Sequence, residues 1–514
     1  MLIKQRAAKS AAMIAVFTLM SKGFGFIREV MIAYKFGSGK ETDTYFVAMT
    51  ATVMIMGILG SAMNTSLIPI FTQIEESRGK EGKLKYLNNI LNIVFFITLI
   101  LAKLAFIFAP LTIKILAKGF QGEQFQLAVQ LSRIGLPIII FLGFTHVLSG
   151  YLQSSQIFGP HAIMGFPYNA VFLIYLFFST GNPDIKILMF VSVIASSTQF
   201  LIQVPAIRHS GYRYSLNVNL KDPYLNKAIL LVFPILIGSA VQQINVIVDK
   251  TLASELVEGS ISALSYAART NDVIISVFIA AITTVVFPML SKAFSERNIH
   301  EGVSILNQSV SIIFIITIPA SIGLMILAQP IVTLFFQRGA FSESAALMTG
   351  DALLFYSFGL LGIAMRSMLN KVFYSLQDTR TPMINGGIAV LINIVLNLLL
   401  VDSMQHKGLA LATSISSIVT SILLLMDLRI KLGPLGITKM LTTFTKTLGA
   451  SIVMGLAAYL IYYKIGALLP ETTVFQFIML AISILVAVIV YLFMLMSLRV
   501  KELRLIGKAI VKRG

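Results

Sequence analysis

Cysteine is absent from this chain of 514 residues, which excludes disulfides and thiolate metal sites. Charge is scarce: Asp, Glu, Lys and Arg make up 12% of the residues, against about 25% in a soluble domain. The five histidines are scattered, so nothing points to a histidine-held catalytic metal. A phosphate-binding loop is also missing. "GSGKET" (Gly37 to Thr42) resembles one, but Tyr34 stands where the first glycine is needed, Glu41 replaces Ser/Thr, and no strand precedes it. "GFGFIR" (Gly23 to Arg28) lacks the third glycine of a dinucleotide fingerprint. With no visible ATPase, any energy for work must come from an ion gradient or the membrane potential. What the chain has instead is apolar surface, 57% of its residues, and this much cannot be hidden in a water-facing globule.

The apolar residues gather in runs long enough to cross about 30 Å of hydrocarbon. Runs begin near Ser10, Thr42, Leu87, Gln126, Pro160, Asp184, Asn226, Gly259, Gly302, Ser344, Pro382, Lys407, Met440 and Thr473. The expected fold is an all-α integral membrane protein of about 14 transmembrane helices. A barrel would need strands of about ten alternating residues. The N-terminus imitates a signal peptide, with Lys4 to Lys9 ahead of an apolar stretch. Lys22 and Arg28 follow too soon, and no small-residue cleavage site is clear, so the expectation is an uncleaved first helix.

A net charge of +18 would suit a nucleic-acid binder, but its placement argues against that partner. With the N-terminus inside, cytoplasmic segments take Lys4, Arg6, Lys9, Arg78, Lys80, Lys83, Lys85, Arg208, Arg213, Lys221, Lys227 and Lys292, and many more up to the tail. The opposite loops hold Lys35, Lys40, Lys118, Arg338, Lys407 and Lys464. This bias is the positive-inside pattern of a multi-pass inner-membrane protein with both termini in the cytoplasm. The basic tail, Arg499 to Arg513, is expected to lie on anionic membrane lipid.

An internal repeat organises the runs. "IREVMIA" (Ile27 to Ala33) matches "IVDKTLA" (Ile247 to Ala253), each near the end of an apolar run. Pro69 follows Glu29 much as Pro288 follows Asp249, and Pro160 follows Pro69 much as Pro382 follows Pro288. Each unit spans six helices, an even number, so the copies share one orientation. They are expected to form two pseudo-symmetric bundles about an axis along the membrane normal. The expected divisions are a six-helix lobe over 1–208, a polar cytoplasmic linker over 209–225, a second six-helix lobe over 226–432, and two further helices with a basic tail over 433–514. Two such bundles suit alternating access; a duplicated scaffold that transports nothing is the alternative.

Ionisable residues at membrane depth are costly and are candidates for function. The first helix carries Lys22, Arg28 and Glu29 broadly on one side, with Gly23 and Gly25 allowing close approach. The eighth carries Arg269 and Asp272, three apart; Asp43 opens the second. Bases so placed suit a cationic cavity gripping phosphate, because the guanidinium fork binds two oxygens at once. The competing reading is local pairing, Arg28 with Glu29 or Asp43 and Arg269 with Asp272. Arg133, Arg366 and Lys371 sit near helix ends and fit snorkelling side chains. Asp249 has no cation one turn away and is a candidate for Na⁺ or H⁺ coupling, competing with a helix–helix hydrogen bond. Asn370 and Asp378 could join it, although Asp378 equally suits a helix cap.

"SKGFGFIREVMIAYKFGSGKETDTYFVA" (Ser21 to Ala48) closely resembles the opening motif of the MurJ (MviN) lipid II flippase family, in the MOP transporter superfamily. "VDKTLAS" (Val248 to Ser254), "SYAAR" (Ser265 to Arg269), "FPMLSKAF" (Phe287 to Phe294) and "FYSLQDTRTP" (Phe373 to Pro382) carry the likeness through both repeats. The resemblance implies fourteen helices in two lobes around a cationic cavity, and a final helix pair that holds a lipid tail. It implies export of an undecaprenyl-pyrophosphate-linked peptidoglycan precursor, with cell-wall synthesis machinery as a candidate partner and no cofactor beyond a coupling ion. Arg28 and Arg269 match cavity arginines of the family, and Lys22 stands where arginine is usual. Glu29, Asp43 and Asp272 match acidic positions, and Asp249 matches a carboxylate that binds Na⁺ in some members. The chain departs from the pattern at Met56, where an arginine is frequent, and at Ala268, where an aspartate is. Those departures keep a sister substrate open, another polyprenyl-linked polysaccharide unit. A small-cation efflux pump would want an acidic cavity, and the bases argue against it.

Overall fold

The computed structural model describes residues 2–181, 183–468, 470 and 472–500. The basic stretch from Lys501 onward, expected to lie on lipid, falls outside the described residues. Among the described residues every regular element is helical. The helices are α1 (Leu2–Phe36), α2 (Lys40–Leu116), α3 (Gly122–Gly135), α4 (Pro137–Ser154), α5 (Gly159–Ile163), α6 (Gly165–Phe178), α7 (Ile185–Leu201), α8 (Val204–His209) and α9 (Pro223–Ser254). There follow α10 (Ser260–Ser295), α11 (Ile299–Phe336), α12 (Glu343–Phe358), α13 (Leu360–Ser375), α14 (Arg380–Met404), α15 (His406–Leu432), α16 (Ile437–Tyr459) and α17 (Thr473–Ser497). α2 is two helices joined at Gly79, whose φ of 65° breaks the helix in a conformation that suits glycine.

Each of the fourteen apolar runs coincides with a helix or a broken pair. Ten helical stretches are long and apolar enough to cross a membrane among the described residues, or eleven if the α12–α13 pair, bent by 45°, is one span. The others, α1, α9 and α10, are the helices that carry Arg28, Asp249 and Arg269. Side chains with free apolar faces line the outside: along α2, Phe96, Ile100, Phe106, Ile107 and Leu111 are all exposed. Lipid, not water, is the solvent such a surface requires.

Turn residues place the helix ends. Asp184, Asp222, Asn298 and Ser342 accept hydrogen bonds from the first-turn N–H groups of α7, α9, α11 and α12. Asn298 and Glu301 bond to each other, the Glu301 N–H donating to Asn298 Oδ1 and the Asn298 side-chain amide to Glu301 Oε2.

The sequence repeat reappears in the backbone. Among the described residues fourteen have positive φ, and twelve of them form pairs: Gly37 with Gly259, Gly79 with Arg297, Gly122 with Gly339, Gln156 with Gln377, Gly181 with Gln405, and Gly211 with Gly433. Their separations, 217 to 224 residues, match those of the paired sequence features. The remaining two, Gly436 and Arg499, lie in the last segment, beyond the repeat.

By packing, the chain divides into two compact units, Met1–Ser262 and Ala263–Gly514. In the first, α2 is the central element, packed by α3, α4 and α9, with α6 and α7 beside α1 and α4. Its core includes one cluster around Phe71, Tyr86, Leu148 and Tyr151, one around Ile32, Tyr45, Phe172 and Leu188, and a smaller one of Met56, Leu136 and Ile139. In the second, α11 is central, packed by α12, α13, α16 and α17. The last two helices dock there through Ala450, Met454, Leu480 and Ala487, and the Tyr491 hydroxyl donates to the Ile315 carbonyl at 2.6 Å.

Candidate functional site

Arg28 lies on α1 where that helix meets α6. The two backbones come close because Gly165 leaves room for Ser21: a Cβ on Gly165 would sit 1.9 Å from the Ser21 hydroxyl oxygen. Arg28 Nη2 pairs with Glu29 Oε1 at 2.5 Å, and Nη1 donates to Asn169 Oδ1 at 2.9 Å. Asn169 is held in turn, its amide donating to the Gly165 and Ser21 carbonyls. The guanidinium carbon lies 5.3 Å from the Tyr168 ring centre and 5.2 Å from that of Phe172. Two ring faces, one carboxylate and one amide therefore fix the fork, and the side chain stays 15% exposed. Glu29 Oε2 is buried with no hydrogen-bond partner among the described residues. Lys22, two turns earlier, is exposed.

Asp43 does something the sequence did not suggest. It is buried, with Oδ2 accepting from Gly259 N and Oδ1 from both the N–H and the hydroxyl of Ser262, each at 2.7 Å. It thus caps α10, and does not pair with Arg28. The exchange is mutual: Glu258 Oε1 accepts from Lys40 N at the start of α2, and Ser38 joins Gly259 and Ser262 by hydrogen bonds. The "GSGKETD" stretch that imitated a phosphate loop is one half of this latch.

Arg269 on α10 is exposed and forms no ion pair among the described residues, so the competing reading, a local bridge to Asp272, finds no ion pair there. Asp249 on α9 accepts from the Asn245 amide one turn before it at 3.2 Å. Asp378 accepts from the Thr381 N–H, the Thr381 hydroxyl and Lys431 Nζ. Although partial burial opposes it, the Lys431 hydrogen bond and the Thr381 donors lower its carboxyl to about 2. With three donors already engaged, this carboxylate is a helix cap and does not fit a cation ligand. Asn370 on α13 is half-buried, its side-chain oxygen without a partner. No group of three or more His, Asp or Glu that could hold a metal occurs among the described residues. Met56 is packed with Leu136 and Ile139 in an apolar cluster, so the position where arginine is frequent is a core position here.

Two sets of residues escaped the sequence reading. Asn169 was the legible one, a lone amide in the apolar run of α6 between Tyr168 and Phe172. The other is Asn88, Asn89 and Asn92, buried on one side of α2. They hold the extended segment from Tyr212 to Asn219 by its backbone. Asn88 accepts from Ser215 N and donates to Ser215 O; Asn89 accepts from Asn219 N and donates to Asn219 O; Asn92 donates to the Ser215 and Asn217 carbonyls. The Tyr212 and Tyr214 hydroxyls donate to Asn88 and Asn92. The expected linker is a strap tied along α2.

Repeated helix units with an apolar outer surface and a base held at membrane depth define a multi-pass membrane transporter. The fold agrees: a MATE-family multidrug resistance transporter of the MOP superfamily superposes with a TM-score of 0.68 at 14% identity, over 83% of this chain and 99% of that one. More specifically, a family model described as "Lipid II flippase MurJ" matches residues 32–483, and the chain belongs to that family. A solved "Lipid II flippase MurJ, inward closed conformation" superposes with a TM-score of 0.79 at 27% identity, covering 95% of this chain and 99% of that one. The Burkholderia cenocepacia protein named "Lipid II flippase MurJ" is 26% identical over 423 residues, 80% of this chain and 82% of its own length.

Proposed function

We propose that this chain is a transporter, not an enzyme, and that it carries lipid II, the undecaprenyl-pyrophosphate-linked peptidoglycan precursor, from the inner to the outer leaflet by alternating access. The observation that carries this reading is the family match over 32–483, supported by the likeness to an inward-closed flippase along almost the whole chain. In this proposal the protein sits in the bacterial inner membrane with fourteen crossings and both termini in the cytoplasm, next to the cell-wall synthesis machinery.

The pyrophosphate needs cations that are not neutralised beforehand. Lys22 and Arg269, exposed and without ion-pair partners among the described residues, suit that role. Arg28 is committed to Glu29 and Asn169 and is two-sided. Two of its five N–H groups are engaged there, so the remaining ones can meet a phosphate oxygen while Glu29 and Asn169 hold the fork in place. Asp249 is the residue proposed to couple transport to Na⁺ or H⁺, with Asn245 beside it. The burial of Met56 removes one base from the expected set and leaves the grip to these three.

The test is complementation of cells depleted of their lipid II flippase, using wild type, Arg28→Ala and Arg269→Ala. Rescue by the wild type with at least tenfold loss of viable count for each variant is the expected result. Rescue by all three would remove the cationic mechanism. Failure of a well-expressed wild type would transfer the assignment to another polyprenyl-linked glycan.

A further inference from the structure

A cavity of about 450 Å³ lies between α2, α4 and the α7–α8 segment, closed on one side by the strap. Phe95, Phe144 and Phe200 form its wall: Phe95 and Phe144 stack with centres 6.0 Å apart, and Phe144 and Phe200 are 5.3 Å apart. Tyr212 and Tyr214 cover it, their hydroxyls turned to Asn88 and Asn92 and their rings to the cavity. Arg208 stands among the lining residues, exposed, with no hydrogen bond or ion pair to its guanidinium among the described residues.

Two features identify what fits. The wall is continuous with the lipid-facing surface of α2, since Phe95 is 36% exposed and Phe96, Ile97, Leu99 and Ile100 beyond it are more so. A guest therefore arrives along hydrocarbon and not from water. The polar edge has one sign: between Arg208 and Lys221 there is His209 and Arg213 but no acidic residue. The size is that of an ordinary small-molecule site. An apolar chain that ends in a negative head group meets both requirements.

We propose that this cavity is a binding site for an anionic glycerophospholipid, with an acyl chain against the phenylalanines and the phosphate on Arg208. The occupant belongs to the leaflet on the strap's side of the membrane. Because Tyr212 and Tyr214 are both cover of the site and anchors of the strap, bound lipid and tied strap stabilise each other. The site is separate from Arg28 and from the last helix pair, and it does not depend on what the protein transports.

The chain has no tryptophan, so one introduced tryptophan is a unique reporter. Phe95→Trp places it in the cavity wall, and Leu104→Trp places a control on the same exposed apolar surface, where the wild-type leucine is 45% exposed. Full-length protein in nanodiscs is titrated with phosphatidylglycerol or phosphatidylcholine carrying brominated acyl chains, which quench on contact. At Phe95→Trp, brominated phosphatidylglycerol is expected to quench at about fivefold lower mole fraction than phosphatidylcholine, the effect of about 1 kcal/mol per surface base. Adding Arg208→Gln is expected to abolish that preference without changing quenching by phosphatidylcholine, and Leu104→Trp is expected to show no preference. Equal quenching by the two lipids at Phe95→Trp would overturn the proposal. So would a preference that survives Arg208→Gln or appears equally at Leu104→Trp.

Discussion

Arg28 keeps a charge at membrane depth by surrounding it with partners from its own neighbourhood: an adjacent carboxylate, an amide from α6 and two ring faces. Hydrogen bonds to charged groups contribute about 1.5–3 kcal/mol each, so orientation of the fork is sensitive to Asn169. Asn169→Ala is expected to slow lipid II flipping in proteoliposomes by about tenfold or more while leaving the thermal melt within a few degrees; an unchanged rate would show that the fork needs no such guide. Asp378 offers a second test. Its carboxyl sits near 2, below the ordinary value of about 3.9. The Lys431 contact therefore stabilises the fold fully above that ordinary value and is lost as pH falls toward 2. Lys431 is 42% exposed, so the effect is below about 1 kcal/mol. Lys431→Gln is expected to lower the melting temperature slightly at pH 5 and to flatten its fall on acidification, as followed by scanning fluorimetry from pH 5 to 2.5; superimposable curves would count against the pair. At this scale the sequence was partly legible. Arg28 and Glu29 are neighbours, and their pairing could be read as an alternative. Asp43 could not be placed, because its partners lie 216 and 219 residues away. Spacing also allowed a bridge from Arg269 to Asp272, and no ion pair between them occurs among the described residues.

At the scale of elements, helix positions were readable because lipid demands long apolar runs, and all fourteen runs are helical. The break at Gly79 falls between the runs that start at Thr42 and Leu87, in the basic segment Arg78 to Lys85. The 45° bend between α12 and α13 was not readable. The stretch over 209–225 was expected to be a plain polar linker, since no periodicity marks it. Its order comes from three asparagines more than a hundred residues earlier, which supply the donors and acceptors that a neighbouring strand would offer. Releasing it should expose backbone to proteases. In the Asn88→Ala/Asn92→Ala double variant, trypsin is expected to cut at Arg213 or Lys221 at least tenfold faster than in the wild type, since several hydrogen bonds of about 1 kcal/mol each are lost. Equal cleavage rates would mean that the strap is held by something else.

For the whole molecule, composition was enough to assign the class. The orientation expected from charge placement can be tested directly. The absence of cysteine makes single-cysteine labelling clean. Glu296 and Ser344 are both exposed and lie beyond opposite ends of α11. In intact cells an impermeant maleimide is expected to label Ser344→Cys, and to label Glu296→Cys only after lysis. The reverse pattern would invert the topology, and labelling of both from outside would mean that α11 does not cross.

The paired turns have a consequence for how this chain can vary. Gly79 and Arg297 both take positive φ at corresponding places in the two copies, as do Gly181 and Gln405. A side chain in that conformation costs about 1 kcal/mol and glycine nothing. What each copy retains is thus the bend itself and not the residue that makes it. After duplication, one half of the chain is a substitution series already carried out on the other.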